Sequence, residues 1–134
     1  MSDNTPQLPR ILVVEDAEPI QLVLQKFLSK KFDVFVCADG LEAMAYLQNG
    51  NMVQLIISDL TTPNMGGLEL LQQVKASSYF KSIPVIVLSG DTESATRIKC
   101  LEAGAEDYIV KPFNPLELEA RIKVVLKRSG ITVS

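Results

Sequence analysis

The chain has 134 residues and a mass of 14.7 kDa, the size of one ordinary domain, and it is long enough to bury a core without disulfides or a structural metal. Its 13 basic and 16 acidic side chains leave a net charge of −3, so the basic footprint of a nucleic-acid binder is absent, and 47% hydrophobic with 22% charged residues is a globular composition. Histidine is missing altogether. This excludes Ser-His-Asp and Cys-His catalysis, histidine metal ligation and histidine phosphotransfer within this chain, and leaves proton or group transfer to carboxylates, hydroxyls, lysines and thiols.

Residues 1–9 read as a short disordered tail, polar, carrying Pro6 and Pro9, and lacking the apolar region of a signal peptide. Arg10-Ile11-Leu12-Val13-Val14-Glu15 is a continuous apolar run rich in β-branched residues, the pattern of a strand buried on both faces. Pro19 suits the first turn of a helix running to about Lys30, with Ile20, Val23, Leu24, Phe27 and Leu28 as its apolar stripe. Asp33 to Cys37 is a second strand, Asp39-Gly40 a turn, and Leu41 to Gln48 a short helix closed by Gly50. Gln54 to Ser58 is a third strand. Thr62 to Gly67, with Pro63, Asn64 and two glycines, is a loop before a helix marked by Leu68, Leu71 and Val74. Ile83 to Leu88 is a fourth strand with Pro84 near its start, where a lost donor costs least. Thr92 to Ala103 is a helix with Gly104 just past its end, and Asp107 to Val110 a short fifth strand. Pro115 opens a last helix carrying Leu118, Ile122, Val125 and Leu126 on one face, Lys127 and Arg128 in its final turn, and Gly130 as its stop.

Five strands alternating with five helices predict a doubly wound, five-stranded parallel sheet covered on both faces, spanning residues 10–129 between tails of 1–9 and 130–134. Cys37 and Cys100 are isolated and lack CxxC spacing, which fits buried thiols in a reducing cytoplasm better than a redox pair. No apolar run approaches the ~20 residues needed to cross a bilayer. The expected localisation is cytoplasmic.

In such sheets the ligand sits beyond the carboxyl ends of the strands. Those ends read Glu15-Asp16, Asp59, Ser89-Gly90 and Lys111-Pro112, so three carboxylates, one hydroxyl and one ammonium converge on one rim. Each alone is an ordinary polar loop residue; together they form a constellation. Like charges held close resist joint ionisation, and a hard divalent cation would bring the formal sum to zero. Oxygen ligands without histidine favour Mg²⁺, which also suits phosphoryl chemistry. Lys111 would hold a phosphoryl group by charge, Ser89 by a hydrogen bond, and a carboxylate that accepts the group becomes an acyl phosphate.

The ordered set Ile11-Leu12-Val13-Val14-Glu15-Asp16, Ile56-Ile57-Ser58-Asp59 followed by Pro63, Gly66 and Gly67, Val87-Leu88-Ser89-Gly90, and Asp107-Tyr108-Ile109-Val110-Lys111-Pro112-Phe113 resembles the receiver domain of bacterial two-component response regulators. The resemblance covers about Arg10 to Arg128. It implies the flavodoxin-like strand order 2-1-3-4-5 and assigns roles by position. Asp59 matches the phosphoacceptor, Asp16 a direct Mg²⁺ ligand, Glu15 an acidic partner acting through water, and Thr61 a backbone-carbonyl ligand. Lys111 matches the lysine that contacts the carboxylate and the phosphoryl group. Ser89 matches the switch hydroxyl and Tyr108 the switch aromatic, with a cis bond implied at Lys111-Pro112. Read without the resemblance, Ser89 would cap the following turn and Tyr108 would be a half-buried packing residue.

Thr61-Thr62 stands where larger apolar residues are frequent, and Gly66 replaces a common aspartate. Thr61 and Asp91 border the phosphoryl position and leave its lifetime open. The implied function is a phosphorylation-controlled switch rather than an enzyme. Its donor is a sensor histidine kinase or phosphotransfer protein, and its output is a protein partner on the face of the fourth helix, fifth strand and fifth helix. Direct nucleic-acid or membrane binding is not expected, and a homodimer on phosphorylation remains open. A haloacid dehalogenase-type phosphatase requires a second aspartate where Thr61 stands; a receiver-like interaction module that is never phosphorylated is the other alternative. Stand-alone protein and piece of a longer regulator both fit the ending at Ser134.

Overall fold

The computed structural model describes residues 7–133. The elements are β1 (Arg10–Val14), α1 (Glu18–Leu28), β2 (Asp33–Cys37), α2 (Gly40–Gln48), β3 (Leu55–Asp59), α3 (Gly67–Ala76), β4 (Val85–Ser89), α4 (Ser94–Glu102), β5 (Asp107–Val110) and α5 (Pro115–Arg128). The strands form one parallel sheet in the order β2-β1-β3-β4-β5, as expected. The order reverses between β1 and β3, which opens a crevice at their carboxyl ends.

The sequence pattern explains the layering. Every residue of β3 and β4 is buried, because each face of these central strands meets helices. On one face Leu12, Ile56, Val85 and Val87 pack with Ala43, Leu47, Leu70, Leu71, Val74 and Cys100 from α2, α3 and α4. On the other, Ile11, Val13, Leu55, Ile57, Ile86 and Leu88 pack with Leu24, Leu28, Leu118, Ile122 and Leu126 from α1 and α5. Each fully buried Leu or Ile contributes about 1.5–3 kcal/mol. The edge strand β2 has one face toward water and alternates in burial.

The glycines expected to end α2, α4 and α5 all adopt positive φ: Gly50 at 91°, Gly104 at 111° and Gly130 at 82°. Three of the differences from expectation have a visible physical cause. Val23 is 51% exposed, because Leu24, Leu28 and the half-buried Ile20 and Phe27 define the inward face of α1. Strand β4 begins at Val85 rather than Ile83, just after Pro84, which has no N–H to give to the ladder. Helix α4 begins at Ser94 rather than Thr92, because side chains of Ser89 and Asp91 capture the N–H groups of Asp91 and Glu93 in turns.

Residues 1–6 and 134 of the expected tails lie outside the described residues. Within them, the Pro9 carbonyl accepts from Asp33 N–H at 2.9 Å, and Ile131 and Val133 pack against the α1/α5 core. Among the described residues, no helix is long and apolar enough to cross a membrane. Both cysteines are free and buried.

Candidate functional site

Four parallel strands, β1, β3, β4 and β5, deliver their polar ends to the same crevice. The ladder continues past the strands: Glu15 N–H donates to Cys37 O at 2.9 Å, Leu60 N–H to Leu88 O at 2.8 Å, and Lys111 N–H to Ser89 O at 2.8 Å. Glu15, Asp59, Ser89 and Lys111 are thus fixed in mutual register by backbone bonds. Gly67, the first residue of α3, lets that helix start close to the acceptor strand, since a Cβ there would lie 2.5 Å from the Asp59 carbonyl oxygen.

Lys111 Nζ lies 2.9 Å from Glu15 Oε1 and 3.0 Å from Asp59 Oδ2. Glu15 is 1% exposed, and its Oε2 accepts from Ala17 N–H at 3.1 Å. Asp16 is exposed, and Glu15, Asp16 and Asp59 each offer a carboxylate oxygen within 4.8 Å of the others. Burial pushes the Glu15 carboxyl above its ordinary range, although Lys111 and the Ala17 N–H pull it down and Asp59 pushes it up. Burial works against the Lys111 charge too, but the hydrogen bonds that the ammonium donates to Glu15 and Asp59 outweigh it and hold it above its usual value. Three carboxylates beside one ammonium leave an excess of negative charge that one divalent cation offsets. The donor set consists of hard oxygens, one carboxylate already exposed, and it fits Mg²⁺.

The remaining expected residues border this cluster. Thr61 follows Asp59 by two positions, and its N–H makes a long 3.4 Å contact with Asp59 Oδ1. Ser89 is buried, and its Oγ accepts from Asp91 N–H at 3.0 Å, the turn-capping geometry that residue type alone suggests. Tyr108 is also buried, with its hydroxyl donating to the Asp91 carbonyl at 2.7 Å. The Tyr108 ring lies inside the fold, more deeply than the half-buried packing residue that its type alone suggests. The Lys111-Pro112 peptide is cis.

Two side-chain contacts that brace the loops around the crevice were not foreseen. The Gln21 carboxamide donates to the Glu15 carbonyl and braces the β1–α1 turn. Asn64, at φ 66°, donates from Nδ2 to Asp39 Oδ2 at 2.7 Å and clasps the β3–α3 loop to the start of α2. The sequence signal for the second was the Asp39-Gly40 turn opposite Pro63-Asn64, though nothing in it pairs them.

A doubly wound parallel sheet thus carries an acidic, lysine-bridged crevice at its carboxyl edge. Residues 11–123 match the response regulator receiver domain, and the chain belongs to that family. It is 38% identical over 120 residues to the regulatory protein VanRc of Enterococcus gallinarum, covering 89% of this chain and 50% of that protein. It is 35% identical over 119 residues to the chemotaxis protein CheY1 of Helicobacter pylori, covering 87% of this chain and 96% of that protein. The receiver domain of the sensor histidine kinase PA1611 from Pseudomonas aeruginosa, solved with a magnesium ion in its active-site cleft, superimposes with a TM-score of 0.81. That match is 27% identical and covers 90% of this chain and 98% of the other. The chain thus spans half of VanRc and nearly all of CheY1.

Proposed function

We propose that the chain is a phosphorylation-controlled switch that accepts a phosphoryl group on Asp59. The observation that carries this reading is Lys111 bridging Glu15 and Asp59 at 2.9 and 3.0 Å in a crevice whose three carboxylates sit within 4.8 Å. The donor is a phosphohistidine on a sensor kinase or phosphotransfer protein, because this chain has no histidine of its own. An Asp59 carboxylate oxygen attacks phosphorus, a P–O bond forms, the P–N bond breaks, and the electron pair returns to the partner's imidazole nitrogen. Lys111 stays protonated and offsets charge on the transferring oxygens.

Asp16, Asp59 and the Thr61 carbonyl would hold Mg²⁺ directly. Glu15, already committed to Lys111 and the Ala17 N–H, would act through water. When bound, the ion supplies neutralisation of the phosphoryl charge. The product carries roughly −2 where −1 had been. Ser89 keeps its own hydroxyl proton to donate to a phosphoryl oxygen. The output is a changed protein-binding surface over α4, β5 and α5, read by a protein partner or a second copy in a cytoplasmic setting that leaves both thiols free. In this reading the domain, residues 10–129, is a signalling element rather than an enzyme and makes no direct nucleic-acid or membrane contact.

Intact mass after incubation with acetyl phosphate and Mg²⁺ tests the proposal. One labile phosphoryl increment is expected, absent without Mg²⁺ and absent in Asp59→Asn. Wild-type protein that takes up no phosphoryl group from acetyl phosphate or from a phosphorylated kinase would make the chain a silent binding module.

A further inference from the structure

Among the described residues three carboxylates are buried: Glu15 and Asp59 in the crevice, and Asp39 outside it. Glu15 and Asp59 share Lys111, whereas Asp39 is met by neutral donors. Its Oδ1 accepts from Glu42 N–H at 2.9 Å, which caps α2, and its Oδ2 from Asn64 Nδ2 at 2.7 Å. The Glu42 N–H and then the Asn64 amide hold the Asp39 carboxyl below its ordinary range, so the bond to Asn64 is charge-assisted.

Asn64 lies in the β3–α3 loop, three residues after Thr61, in the left-handed region at φ 66°. Gly40 N–H fastens the same loop to α2 a second time, donating to Met65 O at 3.0 Å, and Thr62 Oγ1 donates to that carbonyl at 2.6 Å. A Cβ on Gly40 would lie 2.7 Å from Met65 Cγ, so the contact is close. At the far end of the loop Gly66 caps α3 without a side-chain bond, and only backbone holds it, Gly67 N–H donating to Leu60 O at 2.8 Å. Thr61 sits between these ties, its N–H 3.4 Å from Asp59 Oδ1. We infer that Asp39 is a positioning residue for the acidic crevice: through Asn64 its carboxylate fixes the loop that keeps Thr61 beside Asp59. Asp39 itself touches no reacting group. The consequence for Mg²⁺, which the Thr61 carbonyl would hold, rests on the proposed function; the effect on Thr61 does not.

The test uses the full chain labelled with ¹⁵N-threonine, read by NMR without metal and then during titration with MgCl₂. Thr61→Ser assigns the Thr61 cross-peak, and Thr96 in α4 is the control. Asn64→Gly removes the donor and keeps the positive φ without steric cost. Asp39→Ser, far from Thr61 in the chain, keeps an oxygen for the α2 cap and none for Asn64. Each variant should shift the metal-free Thr61 cross-peak, leave Thr96 in place and weaken Mg²⁺ binding by about tenfold, the worth of one hydrogen bond to a charged group. The double variant should bind no more weakly than either single one, because both break the same bond. A Thr61 cross-peak unmoved by Asp39→Ser, a Mg²⁺ affinity unchanged by either variant, or a double variant weaker by about a hundredfold, as independent effects would give, overturns the inference. A merely structural role would lower urea stability without moving Mg²⁺ affinity. A wild type whose cross-peaks do not respond to MgCl₂ overturns the functional reading instead, while the metal-free Thr61 cross-peak still decides the clasp.

Discussion

On the acidic side of the crevice, Glu15 and Asp59 clamp Lys111 through ion pairs of 2.9 and 3.0 Å, and Glu15 is held again by the Ala17 N–H. On the hydroxyl side, Ser89, Asp91, Thr96 and Tyr108 are joined by hydrogen bonds in which only the Asp91 carboxylate carries charge. The first set is stiff, because both carboxylates share one ammonium and removing Lys111 leaves two buried carboxylates without a counter-charge. The second can exchange partners at modest cost, since one neutral hydrogen bond is worth about 1 kcal/mol net. In the proposed function, one edge of one sheet thus separates the place that accepts the phosphoryl group from the place that responds to it.

The sharpest break in this comparison comes from phosphoryl uptake. Asp59→Asn should abolish it, since the nucleophile is gone. Ser89→Ala should only slow it, by about tenfold, the worth of one hydrogen bond to a charged group. Time courses of intact mass with acetyl phosphate measure both. Equal loss in the two variants would mean that the hydroxyl side also holds the reacting group.

Stability probes the acidic side next. Lys111→Met leaves Glu15 and Asp59 facing each other without a counter-charge, at a cost of about 3 kcal/mol at neutral pH in urea unfolding. Burial already raises the Glu15 carboxyl above its ordinary value, and losing Lys111 raises it further. A carboxyl raised in the folded state binds its proton more tightly there than in the unfolded chain. Folding stability is then greatest below the ordinary carboxylate range and falls as pH climbs through the raised value. The deficit of Lys111→Met should therefore shrink at pH 5 relative to pH 7.5. A deficit independent of pH would place its origin in lost packing instead.

Gly67 supports the same side from beneath. An exposed glycine in a helix is usually improved by alanine, by roughly 0.4–1 kcal/mol. Here the added Cβ would sit 2.5 Å from the Asp59 carbonyl oxygen and 3.0 Å from Leu60 Cα, both backbone atoms that cannot swing away. Gly67→Ala should destabilise by about 1–3 kcal/mol and slow phosphoryl uptake by displacing Asp59. Gly90, on the hydroxyl side, has nothing within 4 Å of its notional Cβ, so Gly90→Ala should leave urea stability nearly unchanged.

How much of this was readable beforehand follows from the range of each interaction. The central strands were legible because burial on both faces demands an unbroken apolar run, as in Leu55-Ile56-Ile57 and Val85-Ile86-Val87-Leu88. The convergence of Glu15, Asp59, Ser89 and Lys111 followed from topology, since parallel strands put all their carboxyl ends on one edge. Val23 misled because a stripe inferred from hydrophobicity does not say how wide the buried face is. The start of α4 was misjudged because Ser89 and Asp91 side chains compete with the helix for its first N–H groups. The state of Tyr108 was invisible, since it depends on where one carbonyl, that of Asp91, points after α4 has packed.

The two cysteines sharpen the comparison with the smallest perturbation. Cys37 ends β2 beside the acidic side, and burial, with Glu42 and Asp39 nearby, pushes its thiol up to about 12. Cys100 lies in α4 behind the hydroxyl side, and burial raises its thiol as well. Both should resist iodoacetamide at pH 8 in the native protein, because the thiolate is the nucleophile and is scarce there. The raised value of Cys37 also means that its contribution to stability is complete below pH 9 and fades as pH rises from 9 toward 12, as the unfolded chain gives up that proton first. If the hydroxyl side is the one that rearranges, Thr96→Val should speed labelling of Cys100 at pH 8 and leave Cys37 protected, as peptide mapping would resolve. Parallel acceleration at both sites would mean that loosening α4 loosens the whole sheet edge, and the division between a stiff acidic side and an exchangeable hydroxyl side would not hold.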